Sequence, residues 1–293
     1  MSFFKFMTTG ITALALGGYC FASNHRLITT EYTISCEKLP QKFSGKKILH
    51  LSDLHQKTFG ENYDILVNSC KATHPNFIFF TGDLYSRAET DLDKKLILMG
   101  RLKEIAPVYY IFGNHETETP NKAVYLAEKL KELGIIILRN QVEKLYIDDE
   151  FINIYGLDIP LSFFKNADGG YKNLPKLQCD NINQLVGKSC ENEFNILLAH
   201  SPFPFEEYAK WGADLIFSGH CHGGIIRLPF LGGILSPERK FFPKYTKGVY
   251  RCEKHGNNAQ MVVSAGLGKF RMGNPAEIVI INLKSTERND ENV

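Results

Sequence analysis

Five short apolar runs in this chain end in residue types that bind metal ions, and this repetition constrains the fold more than any other feature. The clearest run is Phe77–Phe80, which is followed by Thr81, Gly82 and Asp83. Consecutive apolar residues that stop at a turn are typical of a buried strand. Asp83 is therefore expected just past the carboxyl end of a strand, at the edge where open α/β sheets bind their ligands.

The other four runs end in an aspartate, an asparagine or histidines. They are Ile48–Leu51 before Asp53 and His55, Val108–Phe112 before Asn114 and His115, Phe194–Ala199 before His200, and Asp214–Ser218 before His220 and His222. On an extended backbone, residues two apart face the same side, so each Asp-x-His or His-x-His pair can reach one cation. Oxygen and imidazole donors together suit Mn, Fe, Zn, Ni or Co, without choosing among them.

Helical spacing between these runs indicates crossover connections and hence parallel strands. The helices are predicted at Glu61–Ala72, Leu92–Ile105, Ala123–Leu133 and Phe205–Trp211. Leu145–Ile147 and Phe151–Leu157 are predicted to pair in antiparallel fashion. Leu161–Glu193 is predicted to be an irregular connection with one helix near Gln178–Val186. For this segment, elaboration of the protein surface is favoured over a cap on a substrate pocket.

Length and charge narrow the class of protein. The chain has 293 residues, which suits one large domain with room for a core. Its net charge is +2, too small to predict a nucleic-acid partner. The seven cysteines are odd in number and scattered, which argues against a disulfide framework.

The amino-terminal stretch differs from the rest because Phe6–Asn24 carries no charged side chain. As a helix it would span roughly 28 Å, close to the hydrocarbon thickness of a bilayer. The prediction is a single N-terminal membrane anchor within residues 1–26, and hence a location at the cell membrane. A cleaved signal peptide, which would leave a secreted protein, and a buried core helix are the alternatives.

The ordered motifs DLH, GD, GNHE, a strand-ending histidine and GHxHGG resemble those of the calcineurin-like metallophosphoesterases. The resemblance runs from Lys47 to about Leu283. It implies an α/β fold, a four-layer αββα sandwich, occupying residues 27–287 before a polar tail at 288–293. Later segments, such as RLPFLGG and SAGLG, are similar to a bacterial membrane-associated branch that includes small phosphodiesterases and a UDP-2,3-diacylglucosamine pyrophosphatase.

The resemblance also implies two divalent metal ions, with Mn²⁺ as the first choice. One ion would take Asp53, His55, Asp83 and His222, and the other Asp83, Asn114, His200 and His220. A shared carboxylate is what two closely spaced dications require, so Asp83 would bridge them. The implied reaction is hydrolysis of a phosphodiester or pyrophosphate bond by a metal-bridging hydroxide.

The resemblance assigns catalytic roles to Asp83 and to His115, which in the family stands beside the metals and protonates the leaving oxygen or stabilises the transition state. Many relatives carry an aspartate three residues after the bridging one, where it orients this histidine, but this chain has Ser86. Either Glu116 or another acid takes over that task, or the reaction relies less on His115.

A basic segment with interleaved aromatics, Arg227–Lys254, supplies the candidates for substrate binding. Arg227 is the first choice within it, and Arg271 and Asn274 are further candidates, against the alternative of a solvated loop rim. The predicted substrate is a phosphorylated small molecule or a lipid-linked diphosphate of the UDP-diacylglucosamine type, met at a membrane surface. A nucleotide phosphodiesterase and a non-catalytic interaction module on the same fold remain alternatives.

Overall fold

The fold is taken from a computed structural model, which describes residues 18, 23, 26–228, 230–253, 258–269 and 271–286. The strands are β1 (Leu27–Cys36), β2 (Lys47–Leu51), β3 (Phe77–Phe80), β4 (Val108–Tyr110), β5 (Ile136–Ile137), β6 (Gln141–Ile147), β7 (Glu150–Leu157), β8 (Asn195–Ala199), β9 (Leu215–Ser218), β10 (Ile226–Leu228), β11 (Gly232–Leu235), β12 (Gly248–Cys252), β13 (Ala259–Val263) and β14 (Ala276–Ser285). The helices are α1 (Asp64–Lys71), α2 (Asp93–Lys103), α3 (Asn114–Glu118), α4 (Pro120–Glu132), α5 (Cys179–Val186) and α6 (Phe205–Trp211).

Two six-stranded sheets and a small hairpin account for the strands. The first sheet has the order β1-β14-β2-β3-β4-β5, and the second has the order β12-β13-β9-β8-β7-β6. The predicted crossovers are confirmed, because β2, β3, β4 and β5 are parallel neighbours, as are β7, β8 and β9. Strands β6 and β7 form the predicted antiparallel pair, and β10 pairs with β11.

Three separate apolar clusters define four layers. One cluster joins α1, α2 and α4 to the outer face of the first sheet, with Leu66, Leu98 and Leu126 fully buried. A second lies between the two sheets, where Phe79 and Phe217 meet edge to face at 5.1 Å. The third joins α5 and α6 to the outer face of the second sheet. The predicted mixed α/β fold with helices outside is confirmed.

Both sheets direct their parallel strands toward the same edge of the sandwich. The backbone N–H of Asp53, just past β2, donates to Gly82 just past β3 at 3.0 Å. The N–H of Gly219, just past β9, donates to His200 just past β8 at 3.0 Å. The predicted ligand positions therefore lie where strand ends are tied to one another.

A short helix follows β4 and carries two of the predicted site residues. Asn114–Glu118 forms this helix, α3. Glu116 accepts the N–H of Gly113 at 2.8 Å, which caps the first turn of this helix. Asn114 and His115 consequently project from a helix start rather than from a loop.

The predicted N-terminal membrane anchor requires correction. In the part of the chain that the structure describes, no helix is both long enough and apolar enough to cross a bilayer. Apart from Gly18 and Ser23, the stretch Phe6–Asn24 lies outside the described residues, as does the polar tail. The division of the chain at residues 27–287 stays a prediction.

Candidate metal centre

A first group of side chains gathers at the ends of β2, β3 and β9. The Nε2 atoms of His55 and His222 lie 3.2 Å apart, and their rings are parallel within 7°. His222 Nε2 is 3.6 Å from Asp53 Oδ1, and His55 Nε2 is 3.7 Å from Asp83 Oδ2. Separations of 3–4 Å between donor atoms suit the edges of a metal coordination shell, because individual metal–ligand bonds are about 2.0–2.2 Å long.

A second group gathers around the same aspartate oxygen. His200 Nε2 lies 3.4 Å from Asp83 Oδ2, and His220 Nδ1 lies 2.9 Å from Asn114 Oδ1. His200 donates its Nδ1–H to the carbonyl of Thr81 at 2.6 Å, which fixes the orientation of the ring and leaves Nε2 facing the site. This Nε2 is buried and has no hydrogen-bond partner among the described residues. Such an atom fits a metal ligand.

Burial and charge set the protonation of these groups. Burial acts to raise the pKa of Asp83, but His200 and His115 outweigh it and hold that pKa well below its usual range. Burial lowers the pKa of His55 to about 3, and it also lowers that of His222. Burial opposes charge on His200, yet Asp83 raises its pKa to about 10, so a cation that binds at its Nε2 would displace a proton. An anionic carboxylate and two neutral imidazoles are the forms that bind metals.

Five of the seven predicted ligands have left-handed backbone conformations, with φ between 49° and 65°. They are Asp53, His55, Asp83, His220 and His222. The extended backbone assumed for the Asp-x-His and His-x-His pairs is therefore wrong, although Asp53 and His55 do offer ligand atoms within 4.8 Å of one another. Left-handed non-glycine residues are strained and cluster at functional sites.

Two glycines allow the loops after β3 and β4 to touch. A Cβ on Gly82 would lie 2.4 Å from the backbone nitrogen of Gly113, and one on Gly113 would lie 2.2 Å from Asp83 Oδ1. Gly82 also has a φ of 87°, which side-chain-bearing residues rarely adopt. The Gly-Asp and Gly-Asn motifs thus combine a ligand with the close approach that positions it.

Glu116 lies beneath this contact rather than beside His115. Its carboxylate accepts the backbone N–H of Asp83 at 2.9 Å, that of Leu84 at 2.9 Å and the hydroxyl of Tyr110 at 3.0 Å. Burial, followed by the charge of Asp83, raises its pKa to about 7. Glu116 therefore holds the loops together and does not orient His115.

His115 is oriented by a backbone amide. The N–H of Arg87 donates to His115 Nδ1 at 3.1 Å, so Nδ1 is the acceptor and Nε2 carries the proton. His115 Nε2 lies 4.0 Å from Asp83 Oδ2, and its ring packs 4.5 Å from that of His55. Arg87, the residue after Ser86, thus supplies a contact that no sequence pattern indicates.

Glu238 is a further residue that sequence reasoning missed. Its buried Oε1 accepts from His220 Nε2 at 3.2 Å, so Nδ1 of that ring is left facing Asn114. Lys240 pairs with the other carboxylate oxygen at 2.7 Å. The available signal was that Glu238 is one of two acidic residues, with Glu253, in the basic segment Arg227–Lys254.

The three predicted substrate-binding residues lie against the loop that carries His222. Arg271 donates to the carbonyl of Gly268 at 2.6 Å, and Asn274 donates to those of His222 and Gly224. Arg227 donates to the carbonyl of Gly223 at 3.1 Å. These contacts support the shape of the loop, and a role in substrate binding stays a prediction.

The sequence of this chain is similar to those of known phosphoesterases. A sequence model of the calcineurin-like phosphoesterase family matches residues 46–224. The chain is 30% identical to the metallophosphoesterase YkuE of Bacillus subtilis over 97% of each chain. It is 28% identical to the metallophosphoesterase Cj0846 of Campylobacter jejuni over 89% of this chain and 65% of that one. Among solved structures, a phosphopantetheinyl hydrolase from Mycobacterium tuberculosis is similar with a TM-score of 0.43 and 13% identity, over 77% of this chain and 91% of that one.

Proposed function

This chain belongs to the calcineurin-like phosphoesterases, which makes it a hydrolase of phosphoester bonds, and from that premise we propose two-metal hydrolysis of a phosphodiester or pyrophosphate. The proposal rests chiefly on Asp83. One of its oxygens lies 3.7 Å from His55 Nε2 and 3.4 Å from His200 Nε2, so one carboxylate oxygen adjoins both groups of ligands.

The residues present fit two cations. Asp53, His55, His222 and Asp83 would hold one, and Asp83, Asn114, His200 and His220 would hold the other. When bound, such cations supply an activated water and offset the charge that builds on the phosphoryl oxygens. The mixed oxygen and nitrogen donors suit several borderline metals, with Mn²⁺ as our first choice.

The chain's own contributions are position and a hydrogen-bond donor. The carbonyl of Thr81 and the carboxylate of Glu238 hold the rings of His200 and His220 in one tautomer each. The Arg87 amide leaves the proton of His115 on Nε2, on the side of the ring that faces Asp83. His115 would therefore stabilise the charge on the departing oxygen by a hydrogen bond from its Nε2–H as the bond to phosphorus breaks, and that oxygen would take its proton from water.

The lipid-linked diphosphate proposed from the sequence has less support than the reaction. The residues that motivated it, Arg227, Arg271 and Asn274, already donate to backbone carbonyls around the loop 222–224. We therefore propose a phosphorylated small molecule as the substrate class. A nucleotide phosphodiesterase is one form of this activity.

The test is hydrolysis of bis-p-nitrophenyl phosphate by protein stripped with a chelator and then supplied with Mn²⁺, Zn²⁺, Fe²⁺, Ni²⁺ or Co²⁺. We expect turnover only after a cation is restored, with two cations bound per chain by elemental analysis. An Asp83→Asn protein purified in parallel controls for contaminating enzymes. Two bound cations without turnover on any phosphoester would instead indicate a non-catalytic module.

A further inference from the structure

A cavity of about 590 Å³ opens beside the second group of ligands. Its walls come from residues between 159 and 178, between 201 and 207, and between 238 and 245. Small-molecule sites commonly occupy about 300–1,000 Å³. The cavity is therefore of the size that holds an organic group larger than a phosphate.

The cavity adjoins the candidate metal centre through His220. The ring of Phe164 lies 5.3 Å from that of His220, and the ring of Phe203 lies 6.0 Å from it. Glu238, which accepts from His220, also lines the cavity. A phosphoryl group held at the metal centre would thus have its other substituent within reach of these walls.

The side of the metal centre on which the cavity lies determines which substituent of the phosphoester can enter the cavity. His115, the proposed donor to the departing oxygen, packs against His55 in the first group of ligands. The cavity instead adjoins His220 in the second group. This separation assigns the cavity to the substituent that stays on phosphorus.

The lining combines aromatic rings with charged groups. Phe203 and Tyr245 line it, and each carries a lysine ammonium over its ring, Lys240 at 5.3 Å and Lys244 at 4.9 Å. Lys240 pairs with Glu238 at 2.7 Å. An acyl chain would have to displace water from these ions without pairing them, which is costly. A flat ring with polar edges can contact the aromatic side chains with its face and the charged groups with its edges.

We propose that the cavity binds a nucleoside-type group, a flat heterocycle on a polar linker, as the non-leaving substituent of the phosphoester. Phe203 and Phe163 supply faces for stacking, and the side-chain amides of Asn173 and Gln178 supply partners for the edges of the ring. This assignment rests on the proposed function and adds a substrate class to it.

Three diesters that release the same leaving group test the assignment. Thymidine 5′-(p-nitrophenyl phosphate), ethyl p-nitrophenyl phosphate and dodecyl p-nitrophenyl phosphate differ only in the substituent that stays on phosphorus. We expect kcat/KM for the thymidine ester to exceed that for the ethyl ester by about tenfold, mainly through KM, because aromatic stacking on a base favours binding. Equal values for the thymidine and ethyl esters, or the highest value for the dodecyl ester, would overturn the assignment.

Substitutions in the cavity wall test whether the thymidine group binds there. Phe203→Ala and Phe163→Ala should each raise KM for the thymidine ester about five- to tenfold and reduce its advantage over the ethyl ester. Tyr125→Ala, which removes an exposed aromatic on α4, is the matched control and should retain the full advantage. Elemental analysis of each variant verifies that both cations are still bound, since Phe203 also packs near His220.

A binding measurement separates this assignment from the proposed reaction. Calorimetric titration of thymidine into chelator-treated protein should show binding that Phe203→Ala weakens and Tyr125→Ala does not. If no phosphoester is hydrolysed with any metal, the proposed function fails, whether or not thymidine binds. If all three esters are hydrolysed equally and thymidine does not bind, the reaction stands and the cavity assignment fails.

Discussion

The candidate metal centre and the cavity beside it share His220 as a neighbour but are built in opposite ways. The predicted ligands follow strand ends, and their rings and carboxylates are fixed by backbone groups such as the Thr81 carbonyl and the Arg87 amide. The cavity wall consists largely of irregular chain, and its lysines Lys240 and Lys244 are exposed although each pairs with a glutamate. Under the proposed function, the two sheets would determine the chemistry and the connections would determine which substrate reaches it. Changes in the two regions should therefore have separable effects.

Asp83→Asn should have the largest effect, because it removes the charge that both groups of ligands share while keeping the shape of the side chain. We expect loss of at least one bound cation and a fall in kcat/KM of about 10³-fold or more, since the charge stabilisation that metals supply amounts to several kcal/mol. Elemental analysis and the rate on bis-p-nitrophenyl phosphate measure both. Asp148→Asn, in the exposed turn before β7, is the control. Two tightly bound cations in the Asp83→Asn protein would show that the two groups of ligands do not depend on the charge of Asp83.

His115→Ala should leave both cations bound and lower kcat, by about 10²–10³-fold on an ester with an alkoxide leaving group, because one hydrogen bond to the developing charge is lost. The loss should be much smaller on a p-nitrophenyl ester, because p-nitrophenolate delocalises its charge and needs less stabilisation. His74→Asn, which keeps a residue that tolerates a left-handed backbone, serves as the control. Equal losses on both kinds of ester would contradict stabilisation of the departing oxygen by His115.

Glu238→Ala should weaken one cation selectively. Loss of the partner of a ligand histidine typically costs about 10–100-fold in metal affinity, and His220 belongs to the second group only. Calorimetric titration should show one site weakened and the other retained, with Glu238→Gln restoring part of the affinity. Glu132→Gln, on the exposed end of α4, is the control. Equal weakening of both sites would show that Glu238 acts on the fold rather than on His220.

Lys176→Ala should give the smallest effect. This lysine lies exposed on the wall of the cavity, so its attraction for an anionic ester is screened by solvent and salt. We expect KM for the thymidine ester to rise about two- to threefold at low salt and to return to the wild-type value near 1 M salt. Lys94→Ala, on α2, should leave KM unchanged at both salt concentrations. A change in kcat or in metal content would place Lys176 closer to the reaction than the cavity rim.

The sequence predicted which strand ends come together because apolar runs and their ends are local signals. Phe77–Phe80 needed only its composition to be recognised as a buried strand, and the helix after β2 made β2 and β3 parallel. Parallel strands end at one edge, so Asp53 and Asp83 had to come close. The order of the motifs then supplied the division of ligands, which stays a prediction.

The remaining features depend on contacts between segments far apart in the chain. No local pattern indicates that Glu238 would reach His220, or that the amide of Arg87 would replace a carboxylate beside His115. The left-handed backbone at Asp53 and His55 is imposed by tertiary contacts and opposes local preference. Residues 161–178 resembled surface elaboration because polar, glycine-containing chain has the same composition on a surface and on a cavity wall.

The position of β14 has a consequence for how the protein is made. This last strand lies between β1 and β2, so the two earliest strands of the first sheet do not touch until Ala276–Ser285 has been synthesised. A chain still emerging from the ribosome therefore presents β2 as an open edge, available for pairing with other chains. A chain truncated before Ala276 would keep β2 as an open edge permanently, with β1 detached and the sandwich unable to close.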